Sequence, residues 1–267
     1  MKAFACHFSF EFMTGLRNRS LLLMNYLLPL GFYALMGALM TQLNPFFREQ
    51  LIPAMVAFAT LSGAILGLPT PLVEAREAEV LRSYRINCVP EVSLLAIPAL
   101  ATGVHIAATS ILIAATGPLF FNAPLPIDWP AFLLVFLSFL FACTGLGSLI
   151  GVIAGNSRSA ILWEQMLYLP SMILGGLMIP AEQLPTSFIR LSRLLPTTYA
   201  MDAFRGLAWK EQILYQPVLG IGVLLAGGFI AFALASCLFA WDKENRKKPI
   251  LAALALLPYL LGALLLG

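Results

Sequence analysis

Charge is what this sequence has least of. Asp, Glu, Lys and Arg together make up 11% of its 267 residues, while 60% are hydrophobic and the mean hydropathy is +0.88. No water-facing surface can be built from that composition, which excludes a soluble globular domain. Histidine occurs twice (His7, His105) and cysteine four times (Cys6, Cys88, Cys143, Cys237), with neither His-Glu-x-x-His nor Cys-x-x-Cys spacing, so no metal site is expected. Gly-x-x-x-x-Gly-Lys-Ser/Thr is missing, which excludes nucleotide hydrolysis by the P-loop route within these residues. There is no Gly-x-Ser-x-Gly elbow, and no set of polar catalytic residues gathers at one depth. An inverted repeat of broken helices, as in secondary transporters, is not evident. The net charge of +3 contains no block of the kind that binds nucleic acid.

What the sequence does have is long uncharged runs. Seven stretches carry no Asp, Glu, Lys or Arg: 20–47, 50–73, 92–127, 129–157, 165–181, 212–241 and 249–267. A helix needs roughly 20 apolar residues to cross a hydrocarbon core about 30 Å thick, and lipid offers backbone groups no other partner. The alternation of a membrane β-barrel is absent. The expected fold is therefore an all-α integral membrane protein with six core spans. Pro249–Gly267, which contains Pro258, is expected to add a seventh. Span three is expected to end before an outer loop from Gly117 to Pro130.

Lys and Arg set the orientation. With the N-terminus inside, the inner segments hold eleven of them and the outer loops five, so the N-terminus is expected to be cytoplasmic. All four cysteines then fall in cytoplasmic or membrane segments, and no disulfide framework is implied. Residues 1–19 carry Phe4, Phe8, Phe12 and Leu16 at every fourth position, an apolar stripe suited to a helix lying along the inner membrane surface.

The scarce charge is unevenly spent. Seven charged residues fall within Glu74–Glu91, on the cytoplasmic side of this topology. As a helix, the segment would put Val80, Leu81, Tyr84 and Cys88 on one face and Glu79, Arg82 and Arg85 on the other, with Pro90 as its stop. A solvated loop whose charges only set topology is the competing reading. Within the membrane, Glu164 stands about one turn into span five. It is a functional candidate, a snorkelling side chain or a partner for Arg158. His105 in span three is a proton relay or ligand, or a packing residue. Gly147, Gly151 and Gly155 in span four form a face for close helix approach.

A second unusual segment lies between spans five and six. Gly176–Leu207 contains prolines at 180, 185 and 196 and is too charged to span. Short helices are expected over Ser187–Leu194 and Tyr199–Leu207, in a re-entrant outer loop that buries Phe188, Leu191, Leu194, Leu195 and Phe204.

These two segments carry a resemblance. Arg76–Pro90 (REAEVLRSYRINCVP) is similar to the cytoplasmic loop of ABC-2 type transporter permeases, whose pattern is roughly Arg-Glu-Glu-Gly-x-Leu-Lys/Arg-x-Leu-Arg-Ala-Thr-Pro. Arg76, Glu77, Leu81, Arg82 and Arg85 match it, while Glu79 replaces the usual Gly and Cys88 the usual Pro. In the second segment Gly176, Pro180, Leu184-Pro185, Leu195-Pro196, Thr198-Tyr199 and Arg205-Gly206 follow the family order. The resemblance covers about residues 1–241.

It implies the permease subunit of an ATP-driven exporter of a hydrophobic or amphipathic substrate, such as a drug, lipid or glycolipid. The permease would sit in the cell (inner or plasma) membrane as a homodimer or heterodimer with a second permease copy, spans one and five forming the seam. ATP and Mg would be held by a separate ABC ATPase subunit, with no cofactor in this chain. Residues 74–90 would be the coupling helix, with Glu77, Glu79, Leu81, Arg82 and Arg85 on the ATPase. The 180–207 segment would form outer gate helices through Pro180, Pro185, Pro196, Tyr199 and Arg205. Glu164 and His105 would be intramembrane polar groups on or near the path. The rival class is a non-transporting membrane enzyme or assembly factor.

Overall fold

Polar caps divide the chain into helices. In the computed structural model, which describes residues 2–44, 47–178, 185–211, 216–241 and 249–265, Asn18 accepts hydrogen bonds from the amides of Ser20 (2.9 Å) and Leu21 (3.3 Å). It thereby separates α1 (Lys2–Arg17) from α2 (Arg19–Leu43). The next two helices are α3 (Phe47–Glu77) and the short α4 (Val80–Ile86). A long α5 follows (Glu91–Phe121). Asp128 caps α6 (Trp129–Ile153) through the Ala131 amide at 3.0 Å, and Asn156 with Ser159 forms a capping box at the start of α7 (Ser157–Leu174). Two short helices, α8 (Thr186–Ser192) and α9 (Pro196–Ala203), precede α10 (Pro217–Leu238). A 3₁₀ stretch at Pro249–Leu256 runs into α11 (Leu257–Leu265).

The described residues contain no strand, and five helices are long and apolar enough to cross a membrane: α2, α3, α5, α6 and α10. The chain is a multi-pass, all-helical membrane protein. At the place expected for the fifth crossing, α7 has 18 residues and includes Arg158, Glu164 and Gln165, so it falls short of that measure. The run after residue 248 is split between 3₁₀ and α geometry and is also shorter. The basic residues 242–248 lie outside the described residues.

At the centre stands α3, buried almost throughout and packed by α2, α5, α6, α7 and α9. The glycine face of α6 meets it. A Cβ on Gly147 would lie 2.1 Å from the Ala64 carbonyl oxygen, and one on Gly151 3.2 Å from Pro69. Gly145, on the other flank, approaches the Gly228 carbonyl of α10. Small residues let helix backbones come this close where lipid gives no hydrophobic driving force. Within α2 and α3, wider π turns at Leu23–Leu27 and Ser62–Gly67 pack on each other. Carbonyls there accept from side-chain hydroxyls: Met24 from Ser62 at 3.2 Å and Asn25 from Thr109 at 2.8 Å.

Three boundaries differ from the sequence expectation. Gly117–Phe121 is helical rather than loop, because a membrane helix tolerates Pro118 and Gly117 packs close against Ile52. The helix ends instead at Asn122, a left-handed cap with φ 51°. The 74–90 segment is two helices: α3 continues to Glu77, and the chain breaks at Glu79 before α4. At the opposite end, Pro196 begins α9 instead of linking two helices, as the missing amide and fixed φ of proline favour.

Candidate functional site

The charged segment is built on the end of α3. Arg76, 4% exposed, turns inward and donates from Nη1 to the Val152 carbonyl at 2.9 Å and from Nη2 to the Ala154 carbonyl. These carbonyls belong to the last turn of α6, where helix geometry leaves acceptors unpartnered and the dipole favours a cation. Beside it, the exposed Glu77 accepts a hydrogen bond from the Ser157 hydroxyl at 2.6 Å. Two successive residues thus clamp the charged segment to the α6–α7 turn. Sequence reasoning matched Arg76 to a motif but gave it no role, and no sequence signal identifies Ala154 or Ser157 as partners.

Beyond the clamp the chain reverses through Glu79, whose φ of 58° is left-handed. That conformation costs an L-residue about 1–2 kcal/mol, and it is where the ABC-2 pattern carries Gly. Cys88, with φ 55°, occupies the place of the usual Pro in a conformation closed to proline. Pro90 therefore does not stop α4; it caps α5. Glu79→Gly is expected to raise unfolding stability by roughly 0.5–1 kcal/mol, the relief of strain offset by glycine's lost chain entropy. Thermal unfolding in detergent measures it, and a loss of stability would contradict the assignment.

α4 is amphipathic in part. Leu81 is buried, at 2% exposed, and Tyr84 is half-buried, whereas Val80 and Cys88 are exposed. The outward side carries Arg82, Arg85 and Ile86 beyond Glu79. Arg82 and Glu79 face each other at 3.9 Å with side chains 68% and 77% exposed, an ion pair worth little to stability.

α1 braces this end. Its His7 stacks on Tyr84, ring centroids 6.0 Å apart, and faces Glu11 at 3.5 Å. Burial raises the Glu11 carboxyl above its ordinary value, against the opposing pull of His7. Burial and the Glu11 charge both raise the Tyr84 hydroxyl. The aromatic stripe is realised as a stack running from Phe4 through Phe8 to Phe12 and on to His105, with Phe12 and His105 4.4 Å apart.

His105 is engaged at both ring nitrogens. One ring nitrogen, Nδ1, lies 2.7 Å from the Tyr26 hydroxyl, and Nε2 lies 3.1 Å from the Phe12 carbonyl. A neutral ring satisfies both contacts by donating from Nε2 and accepting at Nδ1. Glu164, 4% exposed, accepts from the Thr70 hydroxyl at 3.0 Å; Arg158, at the exposed start of α7, is not its partner. The structure brings Glu77, Glu79, Leu81, Arg82 and Arg85 together at the charged end and leaves Glu164 and His105 on separate helices within the bundle.

The other end closes on itself. Pro180 and Leu184 lie outside the described residues. Pro185 is the exposed cap of α8, and Pro196 opens a fully buried α9. The Tyr199 hydroxyl donates to the Arg193 carbonyl at 2.7 Å and lies 3.2 Å from the Tyr259 carbonyl, joining α9 to the C-terminal segment. Arg205 pairs with Glu211 at 2.8 Å. The Ala208 carbonyl accepts from the amides of Ile127 (2.8 Å) and Asp128 (3.1 Å), which ties this unit to the start of α6. Leu195 and Phe204 are buried as expected; Phe188 and Leu191, on α8, are each 48% exposed because that helix lies at the edge of the bundle.

This layout, a charged two-helix break at one end and a Pro-Thr-Thr-Tyr helix sealing the other, agrees with a sequence comparison. The pattern of the ABC-2 type transporter family matches residues 4–209, most of the chain. The chain belongs to the ABC-2 type transporter family. The family is one of transporters. A relative, ABC transporter G family member 20 of Dictyostelium discoideum, is 25% identical over 126 residues, 47% of this chain. The chain spans 17% of that relative's length.

Proposed function

We propose that this ABC-2 permease passes a hydrophobic or amphipathic substrate across the cell membrane and is driven by a separate ATPase subunit that docks on α4. The N-terminus and the charged end then face the ATP side. One observation carries the reading: α4 offers exposed charge outward while Leu81 is buried and the Arg76–Glu77 clamp ties its root to α6 and α7. A push on α4 would reach α6 and α7 without passing through a flexible loop. A second permease copy completes the path, with α2 and α7 as its seam; both present exposed apolar side chains such as Leu27, Leu35, Leu162 and Met166. The unit built from Pro185, Pro196, Tyr199 and Arg205 serves as the outer gate. Among the described residues no group of three or more His, Cys, Asp or Glu side chains gathers to hold an ion, which favours an apolar cargo.

The test is charge reversal on α4. Glu79→Lys combined with Arg82→Glu keeps the weak mutual pair but inverts the charges offered outward. It is expected to abolish stimulation of the ATPase subunit and transport while leaving membrane insertion and thermal stability unchanged. Unchanged ATPase stimulation in the double variant would overturn the docking assignment.

A further inference from the structure

The segment after residue 248 is short when counted in residues but not when measured along its axis. Pro249–Leu256 is 3₁₀ over 8 residues, and α11 is α-helical over 9. At rises of about 2.0 and 1.5 Å per residue these add to roughly 30 Å, the thickness of the hydrocarbon core. Two contacts on α10 fix its direction. Tyr259 packs against Gly227, and three residues later Gly262 packs against Val223, nearer the start of α10, where an added Cβ would lie 2.9 Å from the Val223 side chain. The segment therefore runs antiparallel to α10. At its beginning, Ile250 and Ala253 share an apolar crevice with Ile150 and Ile153 in the last turn of α6, at the charged end. At its far end it meets α9: a Cβ on Gly262 would lie 2.7 Å from the Tyr199 hydroxyl, and the Tyr259 carbonyl lies 3.2 Å from that same hydroxyl. Leu251, Leu254, Leu257, Leu261 and Leu264 are exposed along the whole length, and no charged residue interrupts it.

We infer that residues 249–265 form a further membrane crossing, and that this crossing is a strap holding α9 against the bundle. A row of exposed leucines over the whole length is what lipid requires of a spanning helix, and a segment lying flat on one face would not run along α10 in register. The strap is anchored apart from α9. Tyr259 is fully buried against Gly227 of α10, so α9 does not carry the segment with it. The Tyr199 side chain, 2% exposed, sits in a socket between the Arg193 carbonyl of its own unit and the strap backbone at Tyr259 and Gly262. Gly262 leaves just enough room for the hydroxyl, and a larger residue there would displace it. Outward movement of α9 requires Tyr199 to leave this socket. Tyr259 and Gly262 are thus positioning residues that act through Tyr199. The consequence for gating rests on the reading of α9 as part of the outer gate, whereas the crossing and the socket do not.

Thiol labelling of the full chain, with its native cysteines replaced, tests both parts. For the crossing, Leu264→Cys and Ile86→Cys, at positions 78% and 76% exposed, are compared in intact cells with a membrane-impermeant maleimide. The two are expected to react from opposite faces, Ile86→Cys only after permeabilisation. Reaction from the same face, or none at Leu264→Cys, would overturn the crossing. For the strap, Ala200→Cys, buried on α9, is labelled with N-ethylmaleimide in lipid nanodiscs. Gly262→Leu is expected to speed that labelling about tenfold by favouring local opening of α9. Gly222→Leu in α10, where nothing lies within 4 Å of the added Cβ, should leave the rate unchanged. Ala160→Cys, buried at the charged end with Val73 and Ala154, is the reference that a generally loosened fold would also expose. Should Gly262→Leu fail to fold, Tyr199→Phe carries the same comparison by removing the hydroxyl from the socket. An unchanged rate at Ala200→Cys, or an equal rise at Ala160→Cys, would overturn the strap. Neither readout uses the ATPase subunit or a cargo, so their failure would leave the coupling reading standing.

Discussion

Arg76→Ala is expected to destabilise the protein by about 3 kcal/mol, far more than removal of any other charge in the 74–91 segment. The guanidinium is buried and supplies both donors to the Val152 and Ala154 carbonyls at the end of α6. Without it, both carbonyls lose their charged donors, at about 1–3 kcal/mol each, and the favourable charge at the helix end is lost. Arg76→Lys should recover only part of this, since an ammonium is a point charge and cannot span both carbonyls as the planar fork does. The neighbouring Glu77→Ala breaks an exposed contact with Ser157 and should cost less than about 1 kcal/mol. Denaturant unfolding of the three variants in one detergent measures the difference. Equal losses at Arg76 and Glu77 would show that the inward clamp is not what anchors α4.

That contrast defines how the charged segment divides its labour. In sequence, seven charges form one cluster and all look alike. In space, Arg76 points into the bundle while Glu79 and Arg82 point away from it. The reason is the break at Glu79. Up to Glu77 the chain still follows the α3 helix, so Arg76 falls on the side that faces α6. After the left-handed turn the register restarts, and α4 buries Leu81 instead. Helical projection of the whole segment assumes one register and so misses the restart, although the Gly of the family pattern at position 79 is the one mark of it in the residues.

Elsewhere legibility followed the physics of each feature. The crossings were visible because lipid excludes charge; the caps Asn18, Asp128 and Asn156 that start α2, α6 and α7 emerged only in the structure. His105 was visible as an unusual residue but not as a satisfied one: its partners Tyr26 and Phe12 lie 79 and 93 residues away. Glu164 was visible for the same reason, and its Thr70 partner was hidden by a separation of 94 residues. Pro118 misled in the other direction. Proline ends helices in water, but a helix held between neighbours in a membrane keeps its course through it. The asymmetry is general: exclusion of charge is written locally in a sequence, while the identity of a buried polar partner is set by packing.

The glycine face of α6 shows the same asymmetry and supports the largest packing prediction. Gly147→Ala is expected to cost about 3 kcal/mol or more, although it adds a single methyl group. That Cβ would lie 2.1 Å from the Ala64 carbonyl oxygen and 3.2 Å from its carbon. Overpacking usually costs 1–3 kcal/mol because side chains can shift aside. Here the obstacle is backbone, inside the π turn Ser62–Gly67, and it has no rotamer to change. The two helices must separate by on the order of 1 Å, which forfeits a quarter to a half of each contact's attraction along the seam. Since α3 is the helix on which α2, α5, α7 and α9 also pack, the displacement spreads to them. Gly31→Ala in α2 is the control: nothing lies within 4 Å of the added atom. It should be neutral, or stabilising by up to about 1 kcal/mol from helix propensity. Thermal unfolding of both variants decides the matter. Equal melting temperatures would mean that α6 does not touch α3 at Ala64, and that the glycines serve some face other than the one that builds the centre of this bundle.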